Sequence, residues 1–194
     1  MNAISTYSTI LETSYRLFAE HGFDKTSMTM IAKEVGLSKP ALYYHFLSKE
    51  AIITTLFEEL CKSIGFSSFF RIEAYTKDNF EETFIADGLQ IIHKQQTDMY
   101  YSRILNQYQA LGYRDPAYSL KLVQILEGFT AGFAELLAHG VSIGAIAALD
   151  VLTKAQMLTM IIDSMDNFMS YGLTYSYENI WTTAVKSLIK GESA

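Results

Sequence analysis

The chain has 194 residues, of which 49% are hydrophobic and 19% are charged, and its net charge is −6. It is apolar enough to form a sizeable core, but its longest charge-free apolar stretch, residues 136–149, falls short of the roughly 18 residues that suggest a membrane span. The single cysteine excludes an internal disulfide, and no basic and apolar leader is visible, so we expect a cytoplasmic protein with no membrane partner.

The first third of the chain contains a pattern for two short helices joined at a glycine. Ser27 can cap a helix from residue 28 to about 35, because its hydroxyl can accept an unpaired N–H of the first turn. Gly36 ends this helix, since a tight turn needs a residue that tolerates positive φ, and Ser38 caps the next. The residues expected to hold the pair together are Ile31, Ala32, Val35, Leu37, Leu42 and Phe46.

The second helix of this pair has an unusual outward surface. Pro40 lies in its first turn, where the missing N–H has no cost. The residues expected to point outward are Lys39, Ala41, Tyr43, Tyr44 and His45. One cation, two phenols and an imidazole suit phosphates and base edges, so the pattern favours a DNA-reading helix-turn-helix over a structural helical hairpin.

The rest of the chain also predicts helices, with no strand alternation. We expect helices over residues 49–64, 79–95, 98–109, 117–139 and 151–171 and a last helix that follows Ser176; apolar residues recur at helical spacing in the first, in 117–139 and in the last. Asp150 is expected to cap the helix that begins at 151. Because no linker rich in proline or glycine separates the two parts, we expect the helix 49–64 to join them rigidly.

The residues of the first third resemble the DNA-binding headpiece of the tetracycline-repressor (TetR) family of bacterial regulators. The resemblance covers residues 13–60 and rests on FAEHGF at 18–23, TSM at 26–28, IAKEVGLS at 31–38, LYYHF at 42–46 and SKEA at 48–51. It implies an all-α protein with a three-helix helix-turn-helix headpiece, residues 4–64 with the motif at 27–46. This headpiece would be joined to a helical ligand-binding and dimerisation domain, residues 65–194.

The resemblance also implies roles for individual residues. Ser27 and Thr29 would position the motif on phosphates. Lys39, Ala41 and Tyr43 would face bases, whereas Tyr44, His45 and Lys49 would hold the DNA backbone; Pro40 is also expected among the DNA-binding residues. The function implied is that of a homodimeric repressor, which leaves double-stranded operator DNA when a small apolar or cationic effector binds.

Charge departs from the simplest pattern for a DNA-binding protein. Basic and acidic residues balance over residues 1–50, so the whole net charge of −6 belongs to residues 51–194. The family often carries a basic arm before its first helix, and residues 1–9 contain no Lys or Arg. Since nonspecific affinity for DNA comes mainly from phosphate neutralisation, we expect weak nonspecific binding.

Aromatic and thioether side chains in the second domain predict a site for a small molecule. The candidate lining residues are Phe84, Tyr100, Tyr101, Tyr108, Phe129, Phe133, Met157 and Met160. Ordinary core packing is the alternative for each of them. Gly128 and Gly132 either permit close helix packing or leave room for a guest, and Asp163 and Asp166 are candidates for a cationic ligand or for pairing at a dimer rim.

The last two helices are the predicted dimer surface, because a helix that is apolar on nearly all sides needs two partners. The expected interface residues are Leu158, Ile161, Ile162, Met165, Trp181, Val185 and Leu188. The alternative is that they pack only inside one subunit.

No arrangement of residues suggests catalysis, a cofactor or a metal site, so we expect that the protein is not an enzyme. The histidines His21, His93 and His139 lack the spacing of metal ligands, and Cys61 reads as a small buried hydrophobe. Two other functions stay open: a helix-turn-helix regulator whose body binds a protein, and a small-molecule carrier or enzyme with a vestigial headpiece.

Overall fold

Helices account for every regular element in the computed structural model, which describes residues 5–98, 100–148 and 150–190. The predicted all-α class is thus confirmed. The first residues of the predicted headpiece and of its N-terminal arm, 1–4, lie outside the described residues. The α-helices are α1 (Thr6–His21), α2 (Met28–Val35), α3 (Lys39–His45), α4 (Lys49–Ser63), α5 (Phe80–Thr97), α6 (Tyr101–Gly112), α7 (Pro116–Ser142), α8 (Val151–Ser170) and α9 (Tyr177–Lys190).

Two short 3₁₀ turns, Phe66–Ser68 and Ile72–Ala74, fill the interval between α4 and α5. Along the described ranges, no helix combines the length and the apolar character needed to cross a bilayer.

The predicted helix ends in the first third agree with the structure. The Ser27 hydroxyl accepts the N–H of Met30 at 3.2 Å, and the Ser38 hydroxyl accepts the N–H of Ala41 at 3.3 Å. Gly36 has a φ of +79°, in the left-handed region that favours glycine. These local bonds satisfy N–H groups that have no partner inside their own helix, and they set where α2 ends and α3 begins.

The chain forms two compact units that are not contiguous in sequence. Of the described residues, the first unit contains those up to Ser63 and Arg103–Ser119, and the second contains those from Ile64 to Ser102 and from Leu120 onwards. The sequence pattern predicts one boundary after residue 64 and gives no sign that most of α6 packs with the headpiece.

Tyr108 of α6 is a central residue of the first unit. Its side chain is fully buried, and its hydroxyl donates a hydrogen bond to the carbonyl oxygen of Ile53 at 2.8 Å. Its ring centroid lies 5.0 Å from that of Phe23 and 4.6 Å from that of Phe57. The prediction that Tyr108 lines a ligand site in the second domain is therefore corrected: this side chain packs in the core of the headpiece unit.

Close contacts between helical glycines and aromatic rings shape the core of the second unit. Gly88 of α5 lies against the ring of Trp181 of α9, and Gly132 of α7 lies against the ring of Phe66; a Cβ atom at either glycine would overlap the ring. The Trp181 indole N–H donates to the carbonyl oxygen of Ile85 at 3.1 Å. Of the two alternatives for Gly132, the structure shows close packing, because the Phe66 ring occupies the space beside this glycine.

Gly88→Ala should destabilise the protein, because the added methyl must displace the buried Trp181 ring. Inserting a methyl into a tightly packed core costs about 1–3 kcal/mol. Gly128→Ala is the matched control, since Gly128 is also helical but has no atom near its would-be Cβ; it should be neutral or stabilising by up to about 1 kcal/mol. Urea unfolding of both variants tests this, and equal midpoints would contradict the packing.

Candidate nucleic-acid interface

The two faces of α3 differ sharply in burial. Leu42 is fully buried and Phe46, which ends the helix, is nearly so. On the other side Tyr43 is exposed, and Tyr44 has 88% of its surface open to solvent. The short helix is thus anchored by apolar residues on one face and presents rings on the other.

The exposed side chains of α3 form a cluster of cationic and aromatic groups. The Lys39 ammonium lies 5.9 Å from the centroid of the Tyr43 ring, within the range of a cation–π interaction. The Tyr44 and His45 rings meet edge to face with centroids 5.6 Å apart. Within the described ranges, Lys39 forms no ion pair, so its charge is available to an external anion.

Arg16 of α1 forms ion pairs with two carboxylates of the first unit. Its guanidinium pairs with Glu20 at 3.3 Å and with Glu34 of α2. Although the charges of residues 1–50 balance, this network ties up two acidic groups and leaves Lys39 outside it. A neutral headpiece therefore still has a locally cationic surface on α3.

Seven of the nine residues predicted to contact DNA are exposed: Ser27, Thr29, Lys39, Pro40, Tyr43, Tyr44 and His45. Ala41 is half-buried, so it does not project fully outward as expected. Lys49 is also half-buried, and its ammonium donates to the carbonyl oxygen of Phe23 at 2.7 Å. Its contact with a phosphate stays a prediction.

Leu47 is an exposed residue beside α3 that the sequence analysis did not predict. It lies in the turn between α3 and α4, directly after the buried Phe46, and 88% of its surface is exposed. The sequence offered one signal for its exposure: Leu47 is an apolar residue directly after the last inward position of the helix, so it does not fit the helical period of the buried residues. Leu47 places an apolar group beside the exposed end of α3.

The predicted dimer residues mostly point into the core of the second unit. Leu158, Ile162, Met165, Trp181, Val185 and Leu188 are buried within a single chain, and Ile161 is half-buried. These residues therefore pack inside one subunit, as the alternative expects, whereas dimerisation through other faces of the last two helices stays a prediction. The exposed apolar residues of α8 are instead Leu152, Met157, Met160 and Phe168.

The predicted ligand-lining residues are only partly brought together. Phe84, Phe129 and Phe133 are buried neighbours, and the Phe133 centroid lies 6.0 Å from that of Phe84 and 6.1 Å from that of Phe129. Tyr101, the first residue of α6, and Tyr100, which precedes it, are half-buried. Met157 and Met160 are exposed, because the helical period of α8 sets them opposite the buried positions.

Comparison with known proteins shows that the helix-turn-helix of the first unit is similar to that of bacterial regulators. Residues 10–56 match the family model described as bacterial regulatory proteins, tetR family. The chain is 51% identical over 49 residues to the uncharacterized HTH-type transcriptional regulator YerO of Bacillus subtilis, covering 25% of this chain and 17% of that protein. It is 29% identical over 101 residues to the HTH-type transcriptional repressor Rv1474c of Mycobacterium tuberculosis, covering 48% of this chain and 53% of that protein.

The likeness to solved structures extends over nearly the whole chain. A putative transcriptional regulator from Saccharomonospora viridis, crystallised in complex with choline, has a TM-score of 0.72 at 19% identity and covers 96% of both chains. The chain spans less than two thirds of the length of the two curated relatives, and identity to the solved structure is low, so this likeness establishes the fold.

The TetR resemblance of the headpiece is confirmed, and the chain shares its fold with solved structures described as TetR family transcriptional regulators. The relatives named are transcriptional regulators, in agreement with the prediction that the protein is not an enzyme.

Lys49→Met should lower the free energy of unfolding by about 1 kcal/mol, because a charge-assisted hydrogen bond to Phe23 is lost from a half-buried position. Lys33→Met is the control: Lys33 is exposed, and its replacement should change stability by less than about 0.5 kcal/mol. Chemical denaturation measures both. Unchanged stability of Lys49→Met, with a loss of DNA affinity, would instead assign Lys49 to the phosphate contact implied by the resemblance.

Proposed function

We propose that the protein is a homodimeric transcriptional repressor that binds double-stranded operator DNA through α3 and releases it when a small molecule binds the second unit. The observation that carries the proposal is the exposed row of Lys39, Tyr43, Tyr44 and His45 on a helix whose opposite face is anchored by Leu42. The TetR match of residues 10–56 supports the same assignment.

In this proposal α3 is the recognition helix and enters the major groove. Lys39, the first residue of α3, and Tyr43, one turn later, face base edges, where hydrogen-bond donors discriminate between base pairs. Tyr44 and His45 contact the DNA backbone. Because the headpiece offers few cations to phosphates, its affinity should depend on salt less steeply than that of a strongly basic domain.

Dimerisation supplies the second recognition helix, since helix-turn-helix proteins read two half-sites about 34–36 Å apart. The surface that supports it is the exposed face of α8, where Met157, Met160 and Phe168 recur at helical spacing, together with Ile180 of α9. An exposed apolar stripe of this kind is unusual on a monomer. Two copies of α8 and α9 would close it as a four-helix bundle.

The small-molecule part of the proposal is supported by two likenesses. Rv1474c is described as a repressor, and the structural neighbour from Saccharomonospora viridis holds choline. An effector acts only if it binds the DNA-competent and the released conformations with different affinity. A coupling free energy of about 1–3 kcal/mol corresponds to a 5- to 150-fold change in operator affinity.

A body that binds a protein partner is the second candidate function. Leu120, Val123 and Leu126 of α7 are apolar and exposed in the second unit. A stripe at this spacing can pack on a partner's helix.

Tyr44→Ala should weaken binding to operator fragments selected from genomic DNA by about tenfold or more, because a hydrogen bond from Tyr44 to a charged phosphate contributes about 1.5–3 kcal/mol. Tyr113→Ala is the matched control: Tyr113 belongs to the same unit and is 93% exposed, but it lies outside the helix-turn-helix. Fluorescence anisotropy at two salt concentrations gives the affinities. Equal affinity of the two folded, dimeric variants would refute α3 as the reading surface.

Met160→Glu should convert the dimer to a folded monomer, since it places a charge in the proposed apolar interface at a residue that is 68% exposed in the single chain. Leu120→Glu, at an apolar position on α7 that is 62% exposed, should leave the dimer intact. Sedimentation velocity reports the mass of each variant, and circular dichroism its helix content. A dimeric Met160→Glu protein would place the interface elsewhere.

A further inference from the structure

One carboxyl group on α8 is buried with an incomplete set of hydrogen bonds. Asp166 has 3% of its surface exposed. The Ser102 hydroxyl donates to its Oδ1 at 2.6 Å, whereas Oδ2 has no hydrogen-bond partner. An unpaired buried oxygen of this kind is rare in a folded protein and calls for an explanation.

Among the described residues, this carboxyl group has no cationic partner. In the described part of the chain, neither Asp166 nor Asp163, one turn earlier on α8, forms an ion pair. Burial raises the pKa of Asp166, the Ser102 hydrogen bond opposes the shift, and the charge of Asp163 adds to it; burial also raises the pKa of Asp163. Two neighbouring carboxyls therefore lie in a place that disfavours their ionised form unless a cation joins them.

The surroundings select the kind of cation. In the described residues, no group of three His, Cys, Asp or Glu side chains could hold a metal ion, and the hard divalent cations require several oxygen ligands. Ile162 and Met165, on the same helix, are part of the apolar core, and Tyr100 and Tyr101, which precede Ser102, are half-buried. An organic cation with an apolar body suits this combination.

The unpaired oxygen of Asp166 indicates which organic cations fit best. Oδ2 can accept a hydrogen bond, so it favours a cation that carries an N–H donor. A protonated primary or secondary amine supplies both the charge and the donor, whereas a quaternary ammonium supplies only the charge.

We propose that Asp166, assisted by Asp163, binds the ammonium group of an apolar organic amine, and that the effector of this protein belongs to that class. The proposal rests on the effector-responsive function put forward above and names the chemical class of its ligand. The amine N–H donates to Oδ2, Ser102 retains its bond to Oδ1, and the hydrocarbon part lies among the apolar residues of the second unit.

The test uses the full-length protein and matched pairs of charged and neutral probes. Octylamine and phenethylamine are compared with octanol and 2-phenylethanol, and choline is the quaternary probe. Thermal shift and isothermal titration calorimetry measure their binding to the unaltered protein, to Asp166→Asn and to Asp78→Asn. Asp78 is an exposed carboxylate in the same unit and serves as the control.

The amines should bind the unaltered protein and Asp78→Asn at least tenfold more tightly than the corresponding alcohols, and more tightly than choline. Asp166→Asn should lose this preference. Equal binding of amines and alcohols, an unchanged preference in Asp166→Asn, or no thermal shift with either amine would each overturn the proposal.

A ligand-free measurement separates a binding role from a structural one. If Asp166 is kept for a ligand, Asp166→Asn without probes should melt at the same temperature as the unaltered protein or higher at pH 8, because the amide has nearly the same shape without the charge. A clearly lower melting temperature would identify Asp166 as a structural residue and contradict the proposal.

DNA binding, measured separately by anisotropy, distinguishes the two levels of inference. Amine binding that depends on Asp166 in a protein that ignores DNA would refute the proposed function and leave the amine site standing. Specific DNA binding without any preference for amines would refute the amine site and leave the regulator standing.

Discussion

The candidate reading surface depends on the burial of one face of a helix that is too short to be stable alone. Isolated helices of fewer than about 12–15 residues are marginal in water, and α3 spans only Lys39–His45. Leu42 and Phe46 hold it in the core of the first unit, and the Ser38 cap fixes its start. The exposed side chains of α3 take their direction from those contacts.

The headpiece was predictable because its signals are local. Caps, a left-handed glycine and inward apolar positions lie within 20 or so residues of one another, and each acts through its nearest neighbours. Tyr108 illustrates the opposite case: it bonds to Ile53, which is 55 residues away in sequence, and no periodicity in either segment announces that pairing. Lys49 is similar, since only the folded chain brings its ammonium to the carbonyl oxygen of Phe23.

The second unit was harder to predict, because a helix with apolar residues all round has no unique inward face. On α8 the positions Leu158, Ile162 and Met165 are buried, whereas Met157 and Met160 are exposed. The composition of these two sets is nearly the same, so the helical period identifies the faces but not which of them enters the core. Packing decides it, through rings such as Trp181 that fit only against a glycine.

The two sides of α8 carry the two features that the proposals use. Its buried side carries Asp166, whose Oδ2 lacks a partner, and its exposed side carries the apolar residues Met157 and Met160. An ionised carboxyl group that is held out of water is destabilising until a cation pairs with it. A bound cation would therefore lower the free energy of the conformation in which α8 encloses it best. If the opposite face of that helix packs on a second copy, the ligand and the dimer geometry act on the same element. Coupling between them then requires only that two packings of α8 differ in how well they enclose the cation.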